Sequence, residues 1–179
     1  MSDENQVNDQ QNRLQILSFV LGQDSFGTEI SCIQEVLEYR KVTAVPRTPD
    51  YMLGVINLRG QVVPVVDLRQ VFAMPVSQPT IDSCIIIVKI PIEGEETALG
   101  ILADKVKEVV EFNSSELKVP PRIGNKVDSQ FISGMLQHED EFIILLRLTR
   151  VFSSEQLHDV LDPVGDLPIE KVADSAQSS

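Results

Sequence analysis

The chain has 179 residues, of which 42% are hydrophobic and 23% are charged, a composition typical of a soluble globular protein with one domain or two very small ones. Its 15 basic and 27 acidic residues give a formal net charge of −12. That balance argues against nucleic acid and against an anionic membrane surface as partners, because both require clustered Lys and Arg.

The expected compartment follows from three sequence features. No window approaches the ~18 apolar residues of a membrane-spanning helix, so we expect no direct membrane insertion. The first six residues are acidic and polar, whereas a signal peptide begins positive and becomes apolar. Cys32 and Cys84 each lie in an apolar run, and two cysteines are too few for a disulfide scaffold. We therefore expect a cytoplasmic protein with reduced thiols.

Both ends of the chain are predicted to be disordered tails. Residues 1–12 contain a single large aliphatic side chain, and residues 163–179 end in a run of small and polar residues. Neither segment can bury enough apolar surface to offset the entropy of ordering it. The tails contain much of the acidity, so the body between them is only mildly acidic.

The body is predicted to be mostly β-strand. Apolar or alternating runs separated by turn residues indicate strands at residues 14–21, 25–30, 54–58, 62–66, 84–90, 97–103, 106–112, 131–136 and 141–148. Many short strands favour barrels or a sandwich. Two short helices are expected, one of a turn or two at residues 68–72 and one with a serine cap at residues 154–161.

An internal repeat is the most informative feature of the sequence. Residues 26–39 align with residues 99–112, and residues 51–72 align with residues 131–152. Glycines and charged residues coincide as well as apolar ones, which makes chance similarity a poor explanation. The matched pairs include Gly27 with Gly100, Glu35 with Glu108, Val36 with Val109, and Gly54 with Gly134. The repeat predicts two similar small β-barrels, at roughly residues 14–80 and 81–152.

The repeat also decides one ambiguous segment. Residues 33–38 alone could form a helix. The aligned residues 106–111 contain three valines, and β-branched residues favour strands, so both segments are predicted to be strands.

No set of residues predicts catalysis or a metal site. His138 and His158 have no cysteine nearby, so solvated surface histidines are the better interpretation. The acidic run at residues 139–141 is most simply a solvated hairpin turn. The sequence contains no G-x-S-x-G elbow and no glycine-rich phosphate loop. We expect no enzyme and no cofactor.

The segment at residues 54–68, G-V-I-N-L-R-G-Q-V-V-P-V-V-D-L, differs from its repeat in an informative way. Pro64 cannot donate to a ladder, which predicts an edge or bulged strand, and Gly60 lies where a hairpin needs positive φ. The second repeat replaces N-L-R-G with Q-H-E-D at residues 137–140, which reverses the charge of the turn. A diverged functional site and neutral drift of a solvated turn are both open explanations.

Three ordered blocks resemble the CheW family, the coupling proteins of bacterial chemotaxis. The first is L-S-F-V-L-G followed by F-G-T-E-I, and the second is I-Q-E-V-L-E-Y with V-T-A-V-P. The third and most specific is Y-M-L-G-V-I-N-L-R-G-Q-V-V-P-V-V-D-L-R. The resemblance covers about residues 14–161.

The resemblance implies an all-β fold of two five-stranded barrels of the Src-homology-3 (SH3) type that share a hydrophobic core, with strand exchange between the halves possible. It implies a non-enzymatic adaptor that couples chemoreceptors, the methyl-accepting chemotaxis proteins, to a CheA-type histidine kinase in cytoplasmic, membrane-associated receptor arrays. The expected partners are the cytoplasmic tips of the receptors and the regulatory domain of the kinase. A small β-barrel enzyme or ligand-binding protein is the alternative from another class, disfavoured by the lack of convergent catalytic residues. A coupling protein of a parallel chemosensory pathway stays open.

The resemblance also assigns residues to partners by position. The implied receptor contacts are Glu35, Val36, Asn57, Arg59, Gly60 and, as the repeat mate of Val36, Val109. Gly54 falls where the family touches the kinase. We further expect Arg59 to pair with Glu35, because a planar guanidinium favours a carboxylate that accepts two hydrogen bonds. The alternative is a solvated arginine in a weak surface pair.

Overall fold

The computed structural model describes residues 12–120 and 127–152. The predicted tails, except for Asn12, and the helix predicted at residues 154–161 lie outside the described residues. The elements in chain order are β1 (Arg13–Leu21), β2 (Asp24–Glu29), β3 (Ile33–Glu38), β4 (Met52–Leu58), β5 (Gln61–Val66), α1 (Leu68–Val71), β6 (Cys84–Ile92), β7 (Glu95–Ala103), β8 (Lys105–Asn113), β9 (Ile132–His138), β10 (Glu141–Leu146) and α2 (Leu148–Phe152), with single 3₁₀ turns at Ile30–Cys32, Ser114–Glu116 and Ser129–Phe131.

The predicted strands are present, including the ambiguous segment, which forms β3, and its repeat mate, which forms β8. One predicted boundary is wrong, because the strand expected to run to residue 148 ends at Leu146. The helix α2 begins at Leu148, which is the repeat mate of Leu68 at the start of α1. The same short helix therefore follows the last strand of each repeat.

The strands form two five-stranded sheets. Sheet I has the order β8-β1-β2-β10-β9, and sheet II has the order β3-β6-β7-β5-β4. Each sheet contains strands from both repeats, because β1 and β2 lie beside the strands of the second repeat and β6 and β7 lie beside those of the first. The division near residue 80 therefore separates the repeats in the sequence but does not separate the sheets.

Two equivalent parallel pairings join the exchanged strands. Gly27 of β2 lies opposite Leu145 of β10, and Gly100 of β7 lies opposite Val65 of β5. Both glycines are buried, and a Cβ at Gly27 would lie 2.7 Å from a methyl group of Ile16. A Cβ at Gly100 would lie 3.0 Å from Cγ2 of Ile85, so neighbouring side chains leave little room at both aligned glycines.

The largest hydrophobic cluster is shared between the sheets. It contains Phe19 and Phe26 of sheet I together with Ile86 and Val88 of sheet II, and smaller clusters lie within each sheet. Four rings form a continuous row in the shared cluster, with centroids 6.1–6.3 Å apart, and these are Phe19, Phe26, Phe72 and Phe131. Burying this surface is the main stabilising term for the two sheets as one unit.

A buried charge cluster reinforces the junction between the sheets. The guanidinium of Arg69, just inside α1, donates to both carboxylate oxygens of Asp67 at 2.9 and 3.0 Å and to Asp104 at 2.8 Å. Asp104 lies between β7 of sheet II and β8 of sheet I, and it also accepts a hydrogen bond from the Gly22 amide at 2.7 Å. The hydrogen bonds to Asp67 raise the pKa of Arg69 above its ordinary value, so the ion pair is maintained.

Cys32 and Cys84 are free thiols, and partial burial raises the pKa of both above the ordinary value. Within the described part of the chain, we find no helix whose length and apolar character would let it span a membrane.

Candidate partner-binding site

The hairpin between β4 and β5 contains three of the candidate receptor residues, Asn57, Arg59 and Gly60. Leu58 and Gln61 face each other in the ladder, so Arg59 and Gly60 form a two-residue turn. Both turn residues have positive φ, 51° and 85°, which is the conformation that such tight hairpins require. The side-chain oxygen of Asn57 accepts a hydrogen bond from the Gly60 amide at 2.9 Å and fixes the turn. The positive φ predicted for Gly60 is confirmed.

The turn directs Arg59 onto Glu35 of β3. Nη1 and Nη2 each donate to one oxygen of the carboxylate, and both distances are 2.9 Å. The Arg59 side chain is 71% exposed, whereas that of Glu35 is 22% exposed. The predicted pair is therefore present, in the two-bond geometry that fixes the orientation of both side chains. Because β3 and β4 lie at opposite ends of the strand order, the contact also shows that sheet II is strongly curved.

Val36 lies beside Glu35 in the sequence but on the other face of β3. Burial alternates along this strand, with Ile33, Glu35 and Leu37 on the half-buried face and Val36 on the exposed face. Val36 is 41% exposed. The structure therefore brings Glu35, Asn57, Arg59 and Gly60 together and presents Val36 on the outer surface of the same sheet.

Val109 lies on sheet I, away from its repeat mate in the strand order. It faces Leu17 of β1 in the ladder and its side chain is 53% exposed. The candidate receptor residues are thus divided between the two sheets, with Val109 as the member on sheet I.

Gly54 is buried, and its role is visible in the structure. Its φ is 145°, and a Cβ there would overlap the carbonyl oxygen of Thr43 and lie 2.6 Å from the carbonyl carbon. The segment before β4 bridges to the strand here, with hydrogen bonds of 2.8 and 2.9 Å between Thr43 and Val55. Gly54 thus permits the close approach of this segment to β4. The kinase contact predicted at Gly54 stays a prediction, and because Gly54 is buried, it applies to the surface residues around it.

One group of residues was missed in the sequence. His138 is hydrogen-bonded rather than simply solvated, because its Nε2 lies 3.1 Å from Oε1 of Glu108 and 3.8 Å from Oε1 of Glu139. These residues border a cavity of about 150 Å³ that also reaches Ser18 and Ser25. The repeat alignment could have indicated that these residues lie close together, because Glu108 aligns with Glu35 and Glu139 aligns with Arg59, and Glu35 and Arg59 form the ion pair of the first repeat.

These features define a small, mostly β protein whose candidate site is centred on an ion-paired hairpin. A family model described as "CheW-like domain" matches residues 15–156, and the chain belongs to this family. The resemblance predicted from the three sequence blocks is confirmed.

Curated relatives and a solved structure agree with this assignment. The chain is 30% identical over 142 residues to "Chemotaxis protein CheW" of Rhizobium meliloti, a match that covers 79% of this chain and 89% of that protein. It is 25% identical to "Protein FrzA" of Myxococcus xanthus, covering 76% of this chain and 83% of that protein. The crystal structure of the scaffolding protein TtCheW from Thermoanaerobacter tengcongensis superposes with a TM-score of 0.71 at 31% identity, covering 80% of this chain and 90% of that chain.

Proposed function

We propose that this chain is a non-enzymatic adaptor that couples chemoreceptors to a CheA-type histidine kinase at membrane-associated arrays in the cytoplasm. The observation that carries the proposal is the family match over residues 15–156, together with relatives whose names assign them to chemotaxis. In this proposal each five-stranded sheet forms an SH3-type barrel.

The hairpin supplies the receptor contact in this proposal. The two hydrogen bonds from Arg59 to Glu35 hold an exposed guanidinium in one orientation before any partner arrives. A pre-ordered side chain loses less conformational entropy on binding, so its contacts contribute more to affinity. Val36 would add apolar contact area on the adjacent surface of sheet II.

The shared core explains how two contacts on one small chain can be coupled. Side chains from both sheets pack in a single cluster, so the sheets move as one unit. A receptor bound at the hairpin and a kinase bound near the Thr43–Val55 bridge would therefore be held at a fixed relative position. An adaptor needs this geometric constraint and no chemical step of its own.

Co-sedimentation with receptor-containing membranes tests the proposal. The kinase should appear in the membrane pellet when the chain is added, and its pelleting should fall at least tenfold when the chain is omitted. Equal kinase pelleting with and without the chain would contradict the adaptor function. Identification of the kinase and receptors that co-purify from native cytoplasm would then distinguish swimming chemotaxis from a parallel chemosensory pathway.

A further inference from the structure

The second repeat contains a turn with the same backbone as the Arg59 turn. Glu139 and Asp140 have φ values of 48° and 64°, and they connect β9 to β10 through the facing pair His138 and Glu141. In the first repeat, Arg59 occupies the equivalent position with φ of 51°. Glu139 therefore stands structurally where Arg59 stands in the other repeat.

The charge at this turn position is reversed in the second repeat, but the residue that it approaches is a glutamate in both repeats. In the first repeat the guanidinium faces Glu35, whereas in the second repeat the carboxylate of Glu139 approaches the carboxylate of Glu108. The donor atoms of Glu108, His138 and Glu139 all lie within 4.8 Å of one another. Like charges this close repel each other, and a cation between them would relieve the repulsion.

The neighbouring lysine is already paired with another acid. The ammonium of Lys107 lies 2.8 Å from Oε2 of Glu141 and 3.3 Å from Oγ of Ser25. Lys107 therefore forms its ion pair with Glu141 rather than with the pair formed by Glu108 and Glu139.

The three side chains have the spacing of metal ligands. Nε2 of His138 lies 3.1 Å from Oε1 of Glu108 and 3.8 Å from Oε1 of Glu139. A tetrahedral Zn²⁺ with bonds of about 2.0–2.2 Å separates its donor atoms by roughly 3.3–3.6 Å, so small side-chain movements would complete such a site. The adjoining cavity of about 150 Å³ has room for a water as a further ligand.

The backbone at Glu108 is held by a buried neighbour. Ser18 is 1% exposed, and its hydroxyl donates to the Glu108 carbonyl at 2.9 Å and accepts from the Glu108 amide at 3.2 Å. This contact fills the register shift between β1 and β8, where the ladder itself is interrupted. The backbone of Glu108 is therefore held within β8 rather than on a free loop.

We propose that Glu108, His138 and Glu139 bind a divalent transition-metal ion, with Zn²⁺ the best match. One imidazole nitrogen with two carboxylates suits zinc, whereas Mg²⁺ and Ca²⁺ prefer ligand sets made only of oxygen. The ion would join β8 to the β9–β10 turn, as Arg59 joins β3 to the β4–β5 turn. This inference is independent of the proposed function.

Zinc titration of the untagged, chelator-treated full-length chain tests the proposal. Isothermal titration calorimetry should show saturable binding of one Zn²⁺ per chain, and an excess of Mg²⁺ should not compete. His138→Gln should weaken binding at least tenfold. His158→Gln, which removes the other histidine, is the matched control and should bind as the wild type does.

A charge reversal provides a second and independent variant. Glu139→Arg restores the charge found in the first repeat, so it should abolish zinc binding while the melting temperature without metal is kept or raised. Circular dichroism of each variant verifies that it is folded. Absence of saturable zinc binding in the wild type would overturn the proposal, and so would equal affinity in His138→Gln and wild type.

Discussion

Arg59 and Glu35 are joined by two hydrogen bonds of 2.9 Å each, although they lie 24 residues apart, with Glu35 on β3 and Arg59 in the turn that follows β4, at the opposite end of the same sheet. The guanidinium is mostly exposed and the carboxylate is mostly covered. An exposed pair contributes only about 0–1 kcal/mol to folding. The pair therefore contributes little to stability, and the role that we propose for it is to orient a charge for a partner.

The first prediction concerns Arg59→Ala. The melting temperature should change little, because an exposed ion pair contributes little to stability. Binding of a receptor-tip fragment should weaken about tenfold, since that corresponds to one lost charge-assisted contact of about 1.4 kcal/mol. Titration of the fragment against both proteins measures the difference, and binding of the kinase regulatory domain should be unchanged.

Two further variants make the Arg59 result specific. Arg13 forms an exposed ion pair with Glu111 on sheet I, so Arg13→Ala removes an equivalent charge and should leave receptor binding intact. The exchange of charges in Arg59→Glu with Glu35→Arg should recover part of the affinity if the pair itself matters. Wild-type affinity in Arg59→Ala would remove Arg59 from the receptor site.

The strands were predictable from the sequence for physical reasons, because the aligned valines of β8 decided the state of β3. The Arg59–Glu35 pair was predicted from the family resemblance, which assigned both residues to one site, and the planar fork of arginine then favoured a carboxylate as its partner. Strand alternation places Val36 and Glu35 on opposite faces, but which face of β3 is covered depends on the elements that pack against it, and the sequence does not reveal these. The position of Gly54 against Thr43 depends on a loop whose path has no periodic signal.

The strand composition of each sheet depends on contacts between distant parts of the chain. Gly27 and Gly100 align in the sequence, and that alignment marks them as equivalent. Alignment does not reveal that Gly27 packs against Leu145 of the other repeat. The cluster around His138 was misread for a related reason, since its partner Glu108 lies 30 residues away on another strand.

The second prediction concerns Gly54→Ala. A Cβ there would overlap the Thr43 carbonyl, and φ of 145° is unfavourable for alanine. Backbone strain and overpacking each cost about 1–3 kcal/mol, so the free energy of unfolding should fall by about 2–6 kcal/mol in urea denaturation. Gly60→Ala is the matched control, because its φ is also positive but a Cβ would meet open space. A loss of about 1 kcal/mol is expected there, and equal losses in both variants would contradict the role assigned to Gly54.

The third prediction concerns the buried arginine. Arg69→Met should lower the free energy of unfolding by about 3–5 kcal/mol, because the carboxylate of Asp67 would remain buried without its counter-charge. Arg69→Lys keeps the charge but loses the planar fork, so a smaller loss is expected. Urea denaturation of the wild type and the two variants measures the three free energies of unfolding. A change below 1 kcal/mol in Arg69→Met would show that water or a rearrangement satisfies Asp67.

The fourth prediction concerns the isolated first half, residues 1–80. It should be unfolded or aggregation-prone, because β1 and β2 would lose β8 and β10, and the strand edges of the fragment would be uncovered. Circular dichroism and analytical ultracentrifugation of the fragment test this expectation. Coexpression with residues 81–179 should restore a soluble complex, whereas a soluble, cooperatively unfolding fragment would contradict the shared core.

The output of the kinase in a reconstituted system tests the central claim most directly. Receptor-containing membranes, a cognate CheA-type kinase and ATP are combined with and without this chain, and phosphorylated kinase is measured over time. The account predicts a large rise in phosphorylation that needs both receptor and chain, with no ATP hydrolysis by the chain alone. Equal kinase output with and without the chain, in the presence of receptors, would contradict the claim that it couples the two.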